Sequence, residues 1–206
     1  MTPHALLDAT GWFGKLPGAG DFAQRRLPPA VVERWDTWLQ RGMAQLRHRD
    51  PDWLQHYLQA PVLHGNVGAG LIDGQAWRVV IMPSVDAVGR YFPLTVMAPE
   101  AAAGAGAAPQ AFGPWRACVT DAMLQALAED DDATRFDRRL QAALMTPRVV
   151  PPGAGADPLA VASGFSRWWP DGTPVAHANV TAMPELPTAD RFAAYYLSPA
   201  SPDDPA

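Results

Sequence analysis

Three side chains that could do chemistry lie close together in the chain: the hydroxyl of Ser84, the carboxylate of Asp86 and the guanidinium of Arg90. They occupy a turn containing proline and glycine, between two apolar runs at 76–82 and 92–98. Both runs have the composition of buried strands. The three polar groups should therefore be held in place by rigid neighbours.

A nucleophile, an orienting acid and an anion clamp would suit a small hydrolase. A serine nucleophile needs a base placed against it, and Ser84 is not in a Gly-x-Ser-x-Gly elbow. No companion motif surrounds any of the five histidines, which are His4, His48, His56, His64 and His177. The structural alternative is favoured: Asp86 accepts backbone N–H bonds within the turn and pairs with Arg90.

A second glycine-rich segment spans 11–22 and reads Gly-Trp-Phe-Gly-Lys-Leu-Pro-Gly-Ala-Gly-Asp-Phe. It is partly similar to a phosphate-binding loop, but it lacks the Gly-Lys-Ser/Thr ending whose hydroxyl holds magnesium. We expect instead that the glycines permit positive φ beside a strand. Asp21 then caps the turn or pairs with Lys15, Arg25 or Arg26.

Other possible sites are weaker. No Cys/His/Asp cluster with ligand spacing accompanies His64 or His177, so no metal or cofactor is expected. The acidic run Glu129 to Asp132 lacks the alternating pattern of a calcium loop and suggests a solvated junction between helices. The pair Trp168 and Trp169 could form a contact patch, although a strand with one indole on each face is favoured.

Composition restricts the class of protein. With 206 residues, 48% of them apolar, the chain can bury a full core, and one domain is expected. The net charge of −5 argues against nucleic-acid binding. Cys118 is the single cysteine, which gives no internal disulfide. Neither an export signal nor a membrane-spanning run is found, so we expect a cytoplasmic protein without direct membrane insertion.

The pattern of apolar residues predicts helices and strands in separate blocks. This arrangement favours an α+β sandwich with a mainly antiparallel sheet over a parallel βαβ fold. The predicted helices lie at about 29–48, 112–127, 133–145 and 189–197, and a short helix follows Asp50-Pro51-Asp52. In that segment Asp50 is the expected N-cap, Pro51 the first-turn proline and Asp52 an acid favoured by the helix dipole. The apolar side of the short helix is expected to consist of Trp53, Leu54, Tyr57 and Leu58. The predicted strands lie at 62–67, 77–82, 94–98, and in a hairpin of 164–169 with 175–181 around Pro170-Asp171-Gly172-Thr173.

Breaks rich in alanine, glycine and proline divide the predicted single domain of 1–206. A first block at 11–98 is followed by a connection at 99–110 that has no bulky side chain and is expected to be flexible. A second block covers 111–197, and a short tail follows at 198–206.

Five motifs in the chain resemble the TagF family, also called ImpM, which is associated with bacterial type VI secretion. The motifs are the segment 11–22, Trp35-Asp36-x-Trp38-Leu39, Tyr57-Leu58-x-Ala60-Pro61-Val62, the segment 82–95, and Trp168-Trp169 with Leu186-Pro187 and Arg191-Phe192. The resemblance runs from about residue 11 to residue 197. It implies a longin-type arrangement of strands and helices.

The resemblance also implies a function: a cytoplasmic, post-translational negative regulator that restrains the secretion apparatus by binding a component such as its forkhead-associated scaffold protein. No catalytic residue is implied. We then expect Lys15, Asp21, Ser84, Asp86 and Arg90 to lie near one another as braces or as a polar rim, with exposed tryptophans as anchors. The alternatives are a hydrolase or phosphate-binding enzyme using these groups, and a structural subunit of the apparatus.

Overall fold

The structure is a computed structural model that describes residues 3–103, 112–146, 161–172 and 182–197. The predicted strand at 175–181, with His177, lies outside the described residues, as does the tail. For residues 3, 4 and 103, and so for His4, the structure describes the backbone alone.

Helices and strands alternate in blocks within the described residues. The helices are α1 (Pro3–Ala9), α2 (Pro29–Arg49), α3 (Trp53–Gln59), α4 (Phe112–Ala128), α5 (Ala133–Met145) and α6 (Ala189–Leu197), with a 3-10 turn at Glu100–Ala103. The strands are β1 (Gly11–Gly14), β2 (Ala23–Arg25), β3 (Leu63–Val67), β4 (Trp77–Met82), β5 (Leu94–Pro99), β6 (Phe165–Pro170) and β7 (Met183–Pro184).

The described strands form one antiparallel sheet in the order β2-β1-β5-β4-β3-β6-β7. Strand β4 lies near its centre, with Val80 opposite Val96 of β5 and opposite His64 of β3. Strand β6, from the second sequence block, pairs along the whole of β3. Both blocks therefore contribute to the same sheet, and the prediction of a mainly antiparallel α+β fold is confirmed.

Each face of the sheet carries its own apolar core. Side chains alternate along β4, so Val79 and Ile81 face α2, α3 and α6, whereas Val80 and Met82 face α4 and α5. A strand that is buried on both faces reads as a continuous apolar run, and every residue of β4 is buried. The sheet is therefore the middle layer of a sandwich.

The long helix α2 begins where its sequence predicts. Pro29 occupies the first turn, where the missing N–H costs no hydrogen bond, and Trp35 and Leu39 are fully buried against the sheet. Gly42 faces α6: a Cβ on this residue would lie 2.3 Å from the ring of Phe192. The absence of a side chain lets the two helices approach closely.

The structure corrects four local predictions. Leu58 is 55% exposed rather than part of the apolar side of α3. Asp52, not Asp50, is the N-cap residue of α3, and it makes no side-chain capping bond. The start of the predicted flexible connection at 99–110 is ordered, because Pro99 ends β5 and a 3-10 turn follows.

The fourth correction concerns one residue of the acidic run between α4 and α5: Asp131 is buried, whereas the other three residues of the run are exposed as expected. Asp131 is completely buried and accepts hydrogen bonds from Arg139, with Nε at 2.7 Å, and it also pairs with Arg135 at 3.2 Å. Asp132 caps α5 by accepting from the N–H groups of Thr134 and Arg135.

None of the described helices combines the length and the apolar composition needed to cross a membrane.

Candidate functional site

Two loops emerge side by side at one edge of the sheet. The first loop, residues 15–22, follows β1, and the second loop, residues 83–93, joins β4 to β5. Strand β5 is antiparallel to both β1 and β4, so β1 and β4 end at the same edge. Sheet order thus brings together two segments that are far apart in the sequence.

A cluster of three charged groups joins the two loops: Lys15 and Asp86 are buried, and Arg90 is exposed. Lys15 Nζ lies 2.5 Å from Asp86 Oδ2, and Arg90 Nε donates to the same oxygen at 2.7 Å. The other oxygen, Oδ1, accepts from the backbone N–H groups of Val88 and Arg90 at 3.1 and 2.9 Å. The predicted turn around Asp86 is therefore present, with Lys15 as an additional partner.

Electrostatics keep Asp86 ionised. Burial raises the pKa of its carboxyl, since a charge is costly away from water, but the hydrogen bonds from Lys15 and from the backbone and side chain of Arg90 outweigh that effect. The net result is a pKa below the ordinary value. A charged carboxylate with all of these donors is a strong cross-link between the loops.

The hydroxyl of Ser84 also makes a hydrogen bond within the protein. Its Oγ donates to the backbone carbonyl of Lys15 at 2.7 Å. The backbone of Ser84 is held in turn by Tyr57, whose hydroxyl accepts from the Ser84 N–H at 2.8 Å and donates to the Ser84 carbonyl at 3.0 Å. His56 and His64 bond elsewhere, to Asp50 and Thr120. Ser84 is thus arranged as a brace.

Backbone contacts complete the joining of the loops. Ala87 N–H donates to the Ala19 carbonyl at 2.9 Å, and Arg90 Nη2 donates to the Gly20 carbonyl at 2.6 Å. Gly14, at the end of β1, has φ +143°, and a Cβ there would lie 2.3 Å from the carbonyl oxygen of Pro93. The glycine therefore permits a positive φ and a close approach beside a strand.

Asp21 makes the capping contact that was one of its two expected alternatives, and it does not make the other, an ion pair with Lys15, Arg25 or Arg26. Its side chain is 81% exposed, and the nearest cation is Arg90 at 3.9 Å, rather than Lys15, Arg25 or Arg26. Its Oδ1 accepts from the adjacent Phe22 N–H at 2.8 Å, which is the capping alternative. Asp21 is therefore a surface group beside the charged cluster.

Trp168 and Trp169 point to opposite faces of β6, as favoured by the sequence. Trp168 stacks among Trp35 and Trp38 on the α2 face, and Trp169 lies on the α4 face with the Arg116 guanidinium 4.8 Å from its ring. Both indoles are buried. All eight tryptophans fall within the described residues and none is exposed, so the expectation of exposed tryptophan anchors is wrong.

Other apolar side chains are exposed at the loops. Phe22 is 43% exposed and Val88 67% exposed. The Phe22 ring lies edge-to-face with Phe92 at 4.9 Å and covers the Lys15 ammonium at 4.3 Å. We call the surface formed by Asp21, Phe22, Val88 and Arg90 the rim; it lies directly above the charged cluster.

Comparison with known proteins identifies the family of this chain. A family profile described as the TagF N-terminal domain, type VI secretion system-associated, matches residues 11–143, which is most of the chain. The chain belongs to the TagF family.

A solved structure is similar to this chain along nearly its whole length. The protein PA0076 from Pseudomonas aeruginosa PAO1 has a similar fold, with a TM-score of 0.69 and 31% sequence identity. The match covers 95% of this chain and 100% of that protein. A search of curated proteins gives no significant match.

The TagF match includes the whole of the joined-loop site. It begins at Gly11, the first residue of β1, and contains both loops as well as the helices α2 to α4. Asp131 also falls within it, and its carbonyl accepts from the Gly18 N–H at 3.1 Å, which ties the first loop to the α4–α5 junction. Sequence reasoning missed this tie and the burial of Lys15. The one available signal was the position of Lys15 between apolar residues.

Proposed function

We propose that this chain is a non-enzymatic negative regulator of a bacterial type VI secretion system. It acts after translation, in the cytoplasm, by binding a component of the apparatus, and the forkhead-associated scaffold protein is the proposed partner. Membership of a family associated with this secretion system supports the class of process.

The single observation that carries a binding mechanism is the bonding of the loop cluster. The Ser84 hydroxyl donates to a carbonyl, and the Asp86 carboxylate is surrounded by Lys15, Arg90 and two backbone N–H groups. These are the groups that a hydrolase would need free to act as a nucleophile or a base. Their bonds instead hold two exposed loops in one conformation, which lowers the entropy lost on binding a partner.

In this proposal the rim contacts the partner. Phe22 and Val88 supply apolar area, and Asp21 and Arg90 supply polar contacts at its border. Lys15, Ser84 and Asp86 brace the rim from below, while Trp168 and Trp169 brace the sheet. Repression by binding requires a higher affinity for one state of the partner than for another.

Affinity capture from cell extract with the full chain as bait tests the partner. The forkhead-associated scaffold should be recovered by the wild-type chain and lost with Val88→Asp. Leu124→Asp is the matched control, since Leu124 is a 49% exposed apolar residue on α4, outside the rim. Recovery of metabolic enzymes alone would count against the proposal.

Secretion assays test whether the chain represses secretion or is required for it. A deletion strain should release more of the secreted tube protein, whereas a structural subunit would predict that secretion stops. Ser84→Ala should leave repression intact, because it removes one hydrogen bond worth about 1 kcal/mol. Saturable hydrolysis of a phosphoester or acyl compound that Ser84→Ala abolishes would replace a binding mechanism with an enzymatic one.

A further inference from the structure

A second surface feature lies away from the rim, on the α2 side of the sheet. A groove of about 870 Å³ runs between α2, the β3–β4 loop at Leu71 and the β7–α6 loop at 185–188. Trp38, Leu71 and Leu186 supply its apolar lining. The Trp38 indole Nε1–H donates to the Pro187 carbonyl at 2.8 Å, which fixes one wall against the other.

Two arginines of α2 line this groove without a partner. Arg34 and Arg41 are exposed, and neither makes an ion pair or side-chain hydrogen bond within the part of the chain that the structure describes. The other two arginines of the helix are engaged. The Arg47 guanidinium lies 4.7 Å from the Trp53 ring, and Arg49 pairs with Asp190 at 3.3 Å.

The spacing of the two free guanidinium groups restricts which ligands can contact both of them at once. Arg41 is seven positions after Arg34 in the helix, which places the two residues on one face about 10.5 Å apart. A segment in polyproline II conformation repeats its side-chain direction every three residues, over about 9 Å. Two carboxylates three residues apart in an extended segment can therefore reach both arginines.

Two arginines and two glutamates line the groove, so attraction for an acidic segment is confined to the positions next to Arg34 and Arg41. The chain as a whole carries −5, so its average field repels acidic proteins, and the free arginines provide a local attraction. Glu33 and Glu185 also line the groove. They oppose an acidic ligand where they lie, and so they restrict its carboxylates to the positions next to the two arginines.

We propose that this groove receives an acidic, extended segment of the partner protein, with two carboxylates three residues apart and apolar side chains over Trp38, Leu71 and Leu186. The inference rests on the proposed function, because it takes the chain to act by binding another protein. It adds the chemistry of the segment that is bound.

Titration of the purified full chain with a labelled peptide tests the groove directly. The peptide carries two aspartates three residues apart among prolines, alanines and leucines, and its control carries asparagines instead. Arg34→Ala and Arg41→Ala should each weaken binding of the aspartate peptide about two- to fivefold, the usual contribution of an exposed ion pair. Added salt should weaken binding as well.

Of two further variants, one should tighten binding of the peptide and the other should leave it unchanged. Glu185→Gln should tighten binding of the aspartate peptide about twofold, because it removes a repulsion of similar size. Arg25→Ala removes the same charge from the exposed strand β2, outside the groove, and should leave the affinity unchanged. Alanine is the best helix former, so neither α2 variant should unfold the helix.

Three results would overturn the inference: no binding of the aspartate peptide, equal binding of the asparagine peptide, or equally tight binding of a short single-stranded DNA, which would indicate general attraction of anions. The peptide titration needs no secretion apparatus. Binding with the expected charge dependence, alongside a deletion strain that secretes normally, would therefore leave the groove inference standing and remove the proposed regulatory function.

Discussion

The joined loops and the α2 groove both contain cationic side chains, but only those of the loops have a partner within the described part of the protein. At the loops, Lys15 and Arg90 share one buried carboxylate, and their loss should damage the fold. In the groove, Arg34 and Arg41 have no partner within the described residues, and their loss should damage only binding. A buried cation with an internal partner, such as Lys15, thus stabilises this protein, whereas an exposed cation without one can contact another protein.

The largest expected effect is on stability, at the shared carboxylate. Asp86→Ala should lower the free energy of unfolding by about 3 to 5 kcal/mol, because it leaves the Lys15 ammonium buried without its counter-charge. Urea unfolding followed by circular dichroism measures the change. Asp21→Ala is the control, and its exposed side chain should contribute less than about 0.5 kcal/mol. Equal stability of the two variants would contradict the assignment of Asp86 as a brace.

A second variant tests the backbone of the same region. Gly14→Ala should cost about 1 to 3 kcal/mol, because alanine adopts a φ of +143° only with strain and its Cβ would collide with the Pro93 carbonyl. Gly20→Ala is the control, since that site has no heavy atom within 4 Å of an added Cβ. Thermal unfolding of the two variants should separate them, and a stable Gly14→Ala protein would show that the loops can move apart.

Acid should weaken the joined loops, because it protonates Asp86. The pKa of Asp86 is below its value in the unfolded chain, so its stabilisation is complete above about pH 4 and is lost as the pH falls through the folded pKa. The effect should be smaller than deleting the side chain, because a protonated carboxyl still accepts hydrogen bonds. Urea midpoints from neutral to acidic pH measure it. Asp86→Asn should show a shallower decline, and a midpoint that rises with acid would contradict the prediction.

The smallest effect on stability is expected in the groove. Arg41→Ala should change the free energy of unfolding by less than about 0.5 kcal/mol, since an exposed arginine without a partner loses little when truncated. Urea unfolding measures this alongside the peptide titration. A destabilisation comparable to that of Asp86→Ala would mean that Arg41 braces the fold, and the contrast between the two regions would fail.

Local sequence was sufficient for most helix bounds and for the class of fold. Pro29 and Asp132 begin helices for reasons that act within one turn, and the apolar period of α5 extends from Ala133 to Met145 as predicted. The internal bonding of the second loop was also predictable, because Asp86 and Arg90 are four residues apart and share a turn.

Long-range partners could not be predicted in the same way. Lys15 and Asp86 are 71 positions apart, and they meet because β1 and β4 both flank β5. Asp131 looked solvated among its acidic neighbours, but the Arg139 guanidinium and the close approach of Gly18 bury it. Such pairs depend on the order of strands and on the packing of helices, and neither can be predicted from a local sequence pattern.

The position of β6 has a consequence for how the chain can fold during synthesis. The family profile ends at residue 143, yet β6 begins at Phe165 and covers the free edge of β3 along its whole length. Until the ribosome has released that strand, β3 presents unpaired N–H and C=O groups that could join another chain. A nascent or shortened form that stops inside α5 should therefore be prone to aggregate, although it contains both loops and the whole of α2.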